Sequence, residues 1–324
     1  MKTTTRTKLL LTGILLATCI VAVACGTTKS AEKSVNASTP TQPQAKAQPD
    51  LDKQRQSAQQ QVQPEVENQR KQMEDEGKKS LDQDAIVAIN DTQKAIDAIA
   101  TGKSDDALKA IEEATGKLNI LLARNPATAF IPVDVEVDII DTAPHDTKLI
   151  RHVASEASAA VGAKDYPAAR VLLYSLTSEI RNRTFNLPLA TYPDALKQAA
   201  RLLDQKKNQE ASNVLLTALN TLVVVDKVTP LPLVLSREAL RAAKEDSQKD
   251  KATAEILVQT AKNELQRSKE LGYAAHDPEY DALNTDIASL EKQLKGKQDA
   301  TAVFAKLEDK LSSFLKRQSG QERR

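Results

Sequence analysis

The chain has 324 residues, ample for burying a large core, with 45 basic residues against 44 acidic ones and a net charge of +1. That balance excludes nucleic acid as a partner, because phosphate binding demands clustered Lys and Arg. Aromatic residues make up 3%, Trp is absent and Ala, Leu, Lys, Gln and Glu are abundant, which argues against a β-rich fold and predicts a mostly helical one.

Residues 1–8, MKTTTRTK, are basic and polar, and Leu9 to Ala24 form an apolar run. A permanent membrane span needs about 20 apolar residues, so this shorter run reads as a signal peptide over residues 1–24. It ends in Ala22-Val23-Ala24-Cys25-Gly26, which resembles a lipobox with Ala22 where Leu is commonest. Small residues let the signal peptidase close on the backbone, and the thiol of Cys25 takes the lipid. Cys25 is therefore the expected lipidation site and the first mature residue. Loss of Lys2, Arg6 and Lys8 takes the net charge from +1 to −2. The expected location is the cell envelope, with the lipid anchor in the membrane as a partner. Gly26 favours the periplasmic side of the outer membrane, and the outer face of the cytoplasmic membrane is the other possibility. Cys19 leaves with the signal, so no disulfide or thiolate metal site remains.

Residues 25–79 contain stretches such as STPTQPQAKAQPD and KQRQSAQQQVQ, with almost nothing to bury. They are expected to form a disordered tether, with nascent helix from Asp52 to Glu76. Beyond Asp84 the apolar residues fall into helical spacing, first Ile86, Ile89, Ile96 and Ile99, then Ala107, Leu108, Ile111, Leu118 and Leu122. Gly102 stops one helix and Ser104 and Asp105 start the next. The layout recurs in GKSDDALKAI, AKDYPAARVL and KKNQEASNVL, which place Ala107, Ala168 and Ala211 five positions on and Ile111, Leu172 and Leu215 four further. The spacing predicts three related antiparallel αα-hairpins, with alanines allowing close helix approach.

Between hairpins, Val133, Val135, Val137 and Ile139 alternate with Asp134, Glu136 and Asp138, predicting a small β element near residues 131–140. The prolines of NLPLATYP (186–193) and DKVTPLPLVL (226–235) predict extended segments across helix ends. Leu283, Ile287, Leu290 and Leu294, then Phe304, Leu307, Leu311, Phe314 and Leu315, form a last hairpin turning at Gly296. The expected fold is all-α, a bundle of antiparallel αα-hairpins with one small β element. Its domain occupies residues 80–235, C-terminal hairpins over 236–318 pack on the same domain, and residues 319–324 form a disordered tail.

The hairpin motif, followed by NLPLATYPDALKQAARLLDQKKNQEASNVLLTALNTLVVVD and TPLPLVLS, resembles the YfdX family of bacterial envelope proteins from about Asp84 to Ser236. The resemblance implies an exported, mostly helical protein associated with stress or acid tolerance. It carries over no catalytic residue, because the shared motifs are helix faces and proline turns.

The search for chemistry leaves little. His145 and His152 lie seven apart and would meet on a helix, yet three scattered histidines, His276 included, fit ordinary surface positions better than a metal site. Asp134, Glu136 and Asp138 read as a solvated strand face, since a calcium-hand glycine is missing. Asp105-Asp106 and Glu112-Glu113 are read as helix-dipole partners. Tyr166-Pro167 and Tyr192-Pro193 are read as helix starts, with Tyr packing in the core or in a staple. No catalytic residue, metal ligand or cofactor is expected. The sequence predicts a non-enzymatic lipoprotein whose helical domain makes protein contacts, with its own copies or another envelope protein. The alternative is a binding protein holding a small apolar or amphipathic ligand between helices.

Overall fold

The computed structural model describes residues 48–296, 299–319 and 321–323. The signal peptide and Cys25 lie outside them. The fold is mostly helical with one small antiparallel sheet. In chain order come α1 (Gln48–Lys79), α2 (Gln83–Ala100), α3 (Ser104–Arg124), β1 (Phe130–Asp141), α4 (Thr147–Gly162), α5 (Tyr166–Tyr174) and β2 (Ser178–Pro188). There follow α6 (Tyr192–Asp204), α7 (Asn208–Leu219), β3 (Val223–Pro230), α8 (Leu231–Asp246), α9 (Lys251–Glu270), α10 (Glu279–Lys295), α11 (Thr301–Gln318) and β4 (Gln321–Arg323). The strands lie in the order β1-β2-β3-β4, with every neighbouring pair antiparallel.

The three predicted hairpins are α2–α3, α4–α5 and α6–α7, and each is followed by a strand, so the repeating unit is two helices plus one strand. All three turns use the same C-terminal cap. Gly102, Lys164 and Lys206 take left-handed φ values of 75°, 61° and 62°. Their N–H groups donate to the carbonyls of Ile99, Val161 and Leu203, while the next residues, Lys103, Asp165 and Lys207, donate to Ala98, Ala160 and Leu202. This is the Schellman arrangement, which satisfies carbonyls the helix end leaves free. Aligned on these caps, the small residue of the second hairpin is Ala169, buried like Ala107 and Ala211, and the residue matching Ile111 and Leu215 is Leu173. The sequence register, which placed Ala168 and Leu172 there, is one residue off because it matched the alanines before the turn geometry was known.

Two apolar clusters form the core. One joins α2, α3, α6 and α7 to Ile131 and Val133 of β1 and Leu187 of β2. The other joins α1 and α8 to α11 with Val135 and Val137 of β1 and Ile180 of β2. β1 contributes to both because its odd-numbered residues from Ile131 to Val137 all point inward, as the alternation predicted.

Four expectations are corrected. Residues 48–79, expected within the tether, form α1, whose Val62 and Val66 are buried, with Met73 partly so. Their spacing of four and seven puts the few apolar residues on one helix face. The last turn of α1 lies so close to the sheet that a Cβ on Gly77 would sit 2.8 Å from Val135 Cγ2. Arg70 Nη1 also donates to the carbonyl of Val137 at 3.1 Å, covering part of the open edge of β1. Second, the sheet extends well beyond residues 131–140, taking in β2 and β3. Third, Leu231 to Leu235, expected as extended, open α8, because Pro232 sits in the first turn where a missing N–H costs nothing. The boundary expected at 235/236 therefore falls inside a helix. Fourth, the expected disordered tail contributes β4, which pairs with Asp226, Lys227 and Val228.

Candidate functional site: the α4–α5 arm and its hinge

Hairpins α2–α3 and α6–α7 pack on each other, α3 against α6 and α2 against α7. Among the described residues the middle hairpin packs on neither of the other two in this way, and α4 finds its main neighbour outside the hairpin in α9. In hairpin α4–α5 only Ile150, Ala157 and Ala169 are buried. The positions that close the bundle elsewhere are bare. Ile99 and Leu203 are 9% and 4% exposed, whereas the matching Val161 is 48% exposed. Ile111 and Leu215 are 2% and 0% exposed, whereas Leu173 is 55% exposed. Leu149, Tyr166, Val171 and Tyr174 are exposed on the same hairpin. Several large apolar side chains exposed on one hairpin make it a candidate contact surface.

The arm joins the body through two chain segments, 175–177 before β2 and Asp141 to Asp146 between β1 and α4, which are bonded to each other where Thr142 and Ala143 N–H donate to the carbonyl of Thr177. Arg267 of α9 is almost wholly buried and holds the Asp141 to Asp146 segment with three groups. Its Nε donates to the carbonyl of Pro144 at 3.0 Å, and its Nη2 donates to the carbonyl of Ala143 at 2.8 Å and to Asp141 Oδ1 at 2.5 Å. Nη1 donates to Glu264 Oε2 at 3.2 Å. Burial works against the guanidinium charge, but the carboxylates of Glu264 and Asp141 outweigh it and raise its pKa above the ordinary value. Asp146 then caps α4 by accepting from the N–H of Lys148 at 2.8 Å.

His145 and His152 are both exposed and face different acids. His145 Nδ1 is 3.7 Å from Glu264 Oε1, and His152 Nε2 is 3.4 Å from Glu156 Oε1. His145 lines an open cleft of about 530 Å³ with Thr147, Asn263, Glu264 and Gln266. Among the described residues no group of three His, Cys, Asp or Glu is placed to hold a metal ion. No described helix is long and apolar enough to cross a membrane.

Asp134, Glu136 and Asp138 are exposed on β1, and they face partners that the sequence did not reveal. Glu136 lies opposite Arg183 and Asp138 opposite Arg181 on β2. Arg183 in turn forms a two-pronged bond with Asp226 of β3, at 2.9 Å for each prong. Hydrogen bonding from Arg183 lowers the pKa of Asp226, and Asp226 correspondingly raises that of Arg183. One row of alternating sign, Glu136, Arg183 and Asp226, thus crosses three strands, a stabilising cross-strand arrangement. Tyr192 is buried under α6, where burial pushes its phenol up to about 12. Tyr166 is exposed at the tip of the arm. Asp105 and Asp106 occupy the first turn of α3, whereas Glu112 and Glu113 lie further along the helix and are exposed.

The repeated hairpin-plus-strand units and the bare middle hairpin define a class of helical-hairpin proteins assembled on an antiparallel sheet. Residues 88–228, which span nearly all of the three hairpins and most of the sheet, match the model of the YfdX family, described as "YfdX protein". Among solved structures the chain is similar to that of YfdX from Salmonella Typhi, with 15% identity, 47% of this chain and 93% of that chain covered, and a TM-score of 0.32. No curated protein matches the chain.

Proposed function

We propose that this protein is a non-enzymatic lipoprotein of the bacterial envelope, anchored through Cys25, whose α4–α5 arm makes protein contacts under envelope or acid stress. The observation that carries the reading is the arm itself, a helical hairpin with its bundle-forming positions Val161 and Leu173 exposed. Apolar side chains at these positions lower the free energy when covered, by about 1.5–3 kcal/mol for each one fully buried. Cys25 and the signal-like run support the address, and the family supports the link to stress.

The test is a photo-activatable cross-linker placed at Leu173 of the full chain in its own cells. Covalent capture of protein at Leu173, absent when the cross-linker sits at the exposed Lys109 of α3, supports the arm as a contact surface. Capture of nothing at Leu173 removes that support. Labelling with radioactive palmitate, lost on Cys25→Ser, tests the anchor.

A second reading, the ligand carrier, is favoured by a groove of about 290 Å³ between α6 and α7, lined by Tyr192, Ala195, Val214 and Ala218. Its size lies at the lower limit of small-molecule sites and it is open to solvent. Retention of a small molecule by the natively purified protein supports this reading over the first.

A further inference from the structure

We propose that the open cleft between the start of α4 and the face of α9 binds a small linear polyamine, a chain of ammonium groups separated by short alkyl spacers. This goes beyond the contact role of the arm and does not depend on it. The cleft, of about 530 Å³, lies within the ordinary size range of small-molecule sites. His145, Asp146 and Thr147 line one wall and Thr260, Glu264 and Gln266 of α9 the other, with no Lys or Arg among the lining residues. Glu264 is the most buried of them, at 5% exposure. Its Oε2 accepts from Arg267 Nη1, but its Oε1 accepts no hydrogen bond among the described residues, because His145 Nδ1, at 3.7 Å, lies beyond hydrogen-bond reach. A charged oxygen on a side chain this deeply set is stabilised by a donor that reaches it from the cleft.

The hydrogen-bonding ends left free in the cleft decide the chemistry of the ligand. Gln266 Nε2 donates to Glu270 Oε1 at 2.8 Å, which leaves the carbonyl oxygen of Gln266 free. Thr260 Oγ donates to the carbonyl of Ile256 at 2.9 Å and keeps its lone pairs. Asp146 Oδ1 takes the N–H of Lys148, and Asp146 Oδ2 is unbonded among the described residues. Together with Glu264 Oε1 these are all acceptors, and both charged groups are among them, whereas the donors set against them, Asn263 Nδ2, the Thr147 hydroxyl and an imidazole N–H of His145, are neutral. Charge points the same way. Arg267 is shared by Asp141 and Glu264, so that cluster keeps one negative charge, Asp146 adds another, and Arg151 is balanced by Glu270 at 3.7 Å. An ammonium group brings positive charge and nothing but donors, while an anion would face two carboxylates. The acceptors on α9 run from Thr260 to Gln266, about 9 Å along the helix, which one ammonium cannot bridge and a chain of two or three can.

The experiment is calorimetric titration of the protein purified from its own cells. Spermidine is expected to bind saturably, one per chain, with a Kd below about 1 mM. Hexamethylenediamine is expected to bind at least about tenfold more tightly than hexamethonium, the same chain with a methyl in place of every N–H. Asp146→Asn keeps the oxygen that caps α4 and loses the charge, and it should weaken spermidine at least about fivefold. Glu264→Gln should weaken it at least about tenfold, and Glu113→Gln on α3 should leave it unchanged. Should Glu264→Gln lose its helical circular dichroism, Asp146→Asn, on an exposed residue, still decides the matter. The proposal is overturned by the absence of saturable binding up to about 10 mM spermidine, by equal affinity for the diamine and hexamethonium, or by an Asp146→Asn variant that binds spermidine as tightly as the parent. Tighter binding of trilysine than of spermidine overturns it as well, since it would assign the cleft to a peptide side chain.

Discussion

Replacing Arg267 with Met keeps most of the side-chain volume and removes a charge that holds four groups. Glu264, itself buried, loses its partner, and the carbonyls of Ala143 and Pro144 lose their donor, while the half-exposed Asp141 turns to water. Breaking one side of a buried pair costs about 3–5 kcal/mol, because the other charge is left uncompensated. At about 2–3 °C per kcal/mol for a unit of this size, Tm falls by roughly 6–15 °C. The companion variant, Arg267→Met with Glu264→Leu, removes the stranded charge too and is expected to recover most of the loss. Urea unfolding of the parent, both single variants and the double variant closes the cycle. A loss below about 1 kcal/mol for Arg267→Met, or simple additivity in the double variant, would refute the view that this cluster is a coupled hinge.

Burial pushes the phenols of Tyr192 and Tyr280 up to about 12, so spectroscopic titration should leave two of the five tyrosines un-ionised at pH 11. Because the unfolded chain sheds these protons near pH 10 and the folded chain near 12, stability is expected to fall as pH rises across that window. A flat profile there, or one that Tyr192→Phe leaves unchanged, speaks against the burial of Tyr192. Left-handed Lys164 and Lys206 carry a conformational penalty that Gly102 avoids. Lys206→Gly should therefore stabilise by about 0.5–1 kcal/mol, and Gly102→Ala should destabilise by about 1 kcal/mol. Equal signs for the two changes would show that the caps are not equivalent. Helix α1 is held by two fully buried valines and a few polar bonds, so Val66→Asp should release it and speed tryptic cleavage after Arg70 at least tenfold while α8 and α9 stay resistant. Simultaneous cleavage of α8 would mean that α1 is part of the cooperative core.

How much was legible in the sequence varied with how local the cause was. Hairpins α2–α3 and α6–α7 were visible because their apolar residues repeat at three and four and their turns carry recognisable stop and start residues. β1 was visible because one of its faces is apolar and the other acidic. β2 was hidden because SEIRNRTFNLP lacks that alternation. Its Arg181 and Arg183 look like loop residues until β1 and β3 bring Glu136, Asp138 and Asp226 to them. Helix α1 was masked by its composition, since two valines among 32 residues matter only once β1 and α8 supply a surface.

The amino-acid sequence by itself determined the helical class, the three related hairpins and the acidic face of β1, because each depends on neighbours within a few turns of chain. Only the tertiary structure decided which hairpins pair. The sequence of α4–α5 is as apolar as that of its siblings, and nothing local distinguishes a face to be buried from one left bare. The difference lies in long-range packing, where the outer hairpins cover each other and α4 of the middle one packs against α9 instead. The candidate site is thus a property of the assembled fold, created by an odd number of hairpins sharing one sheet.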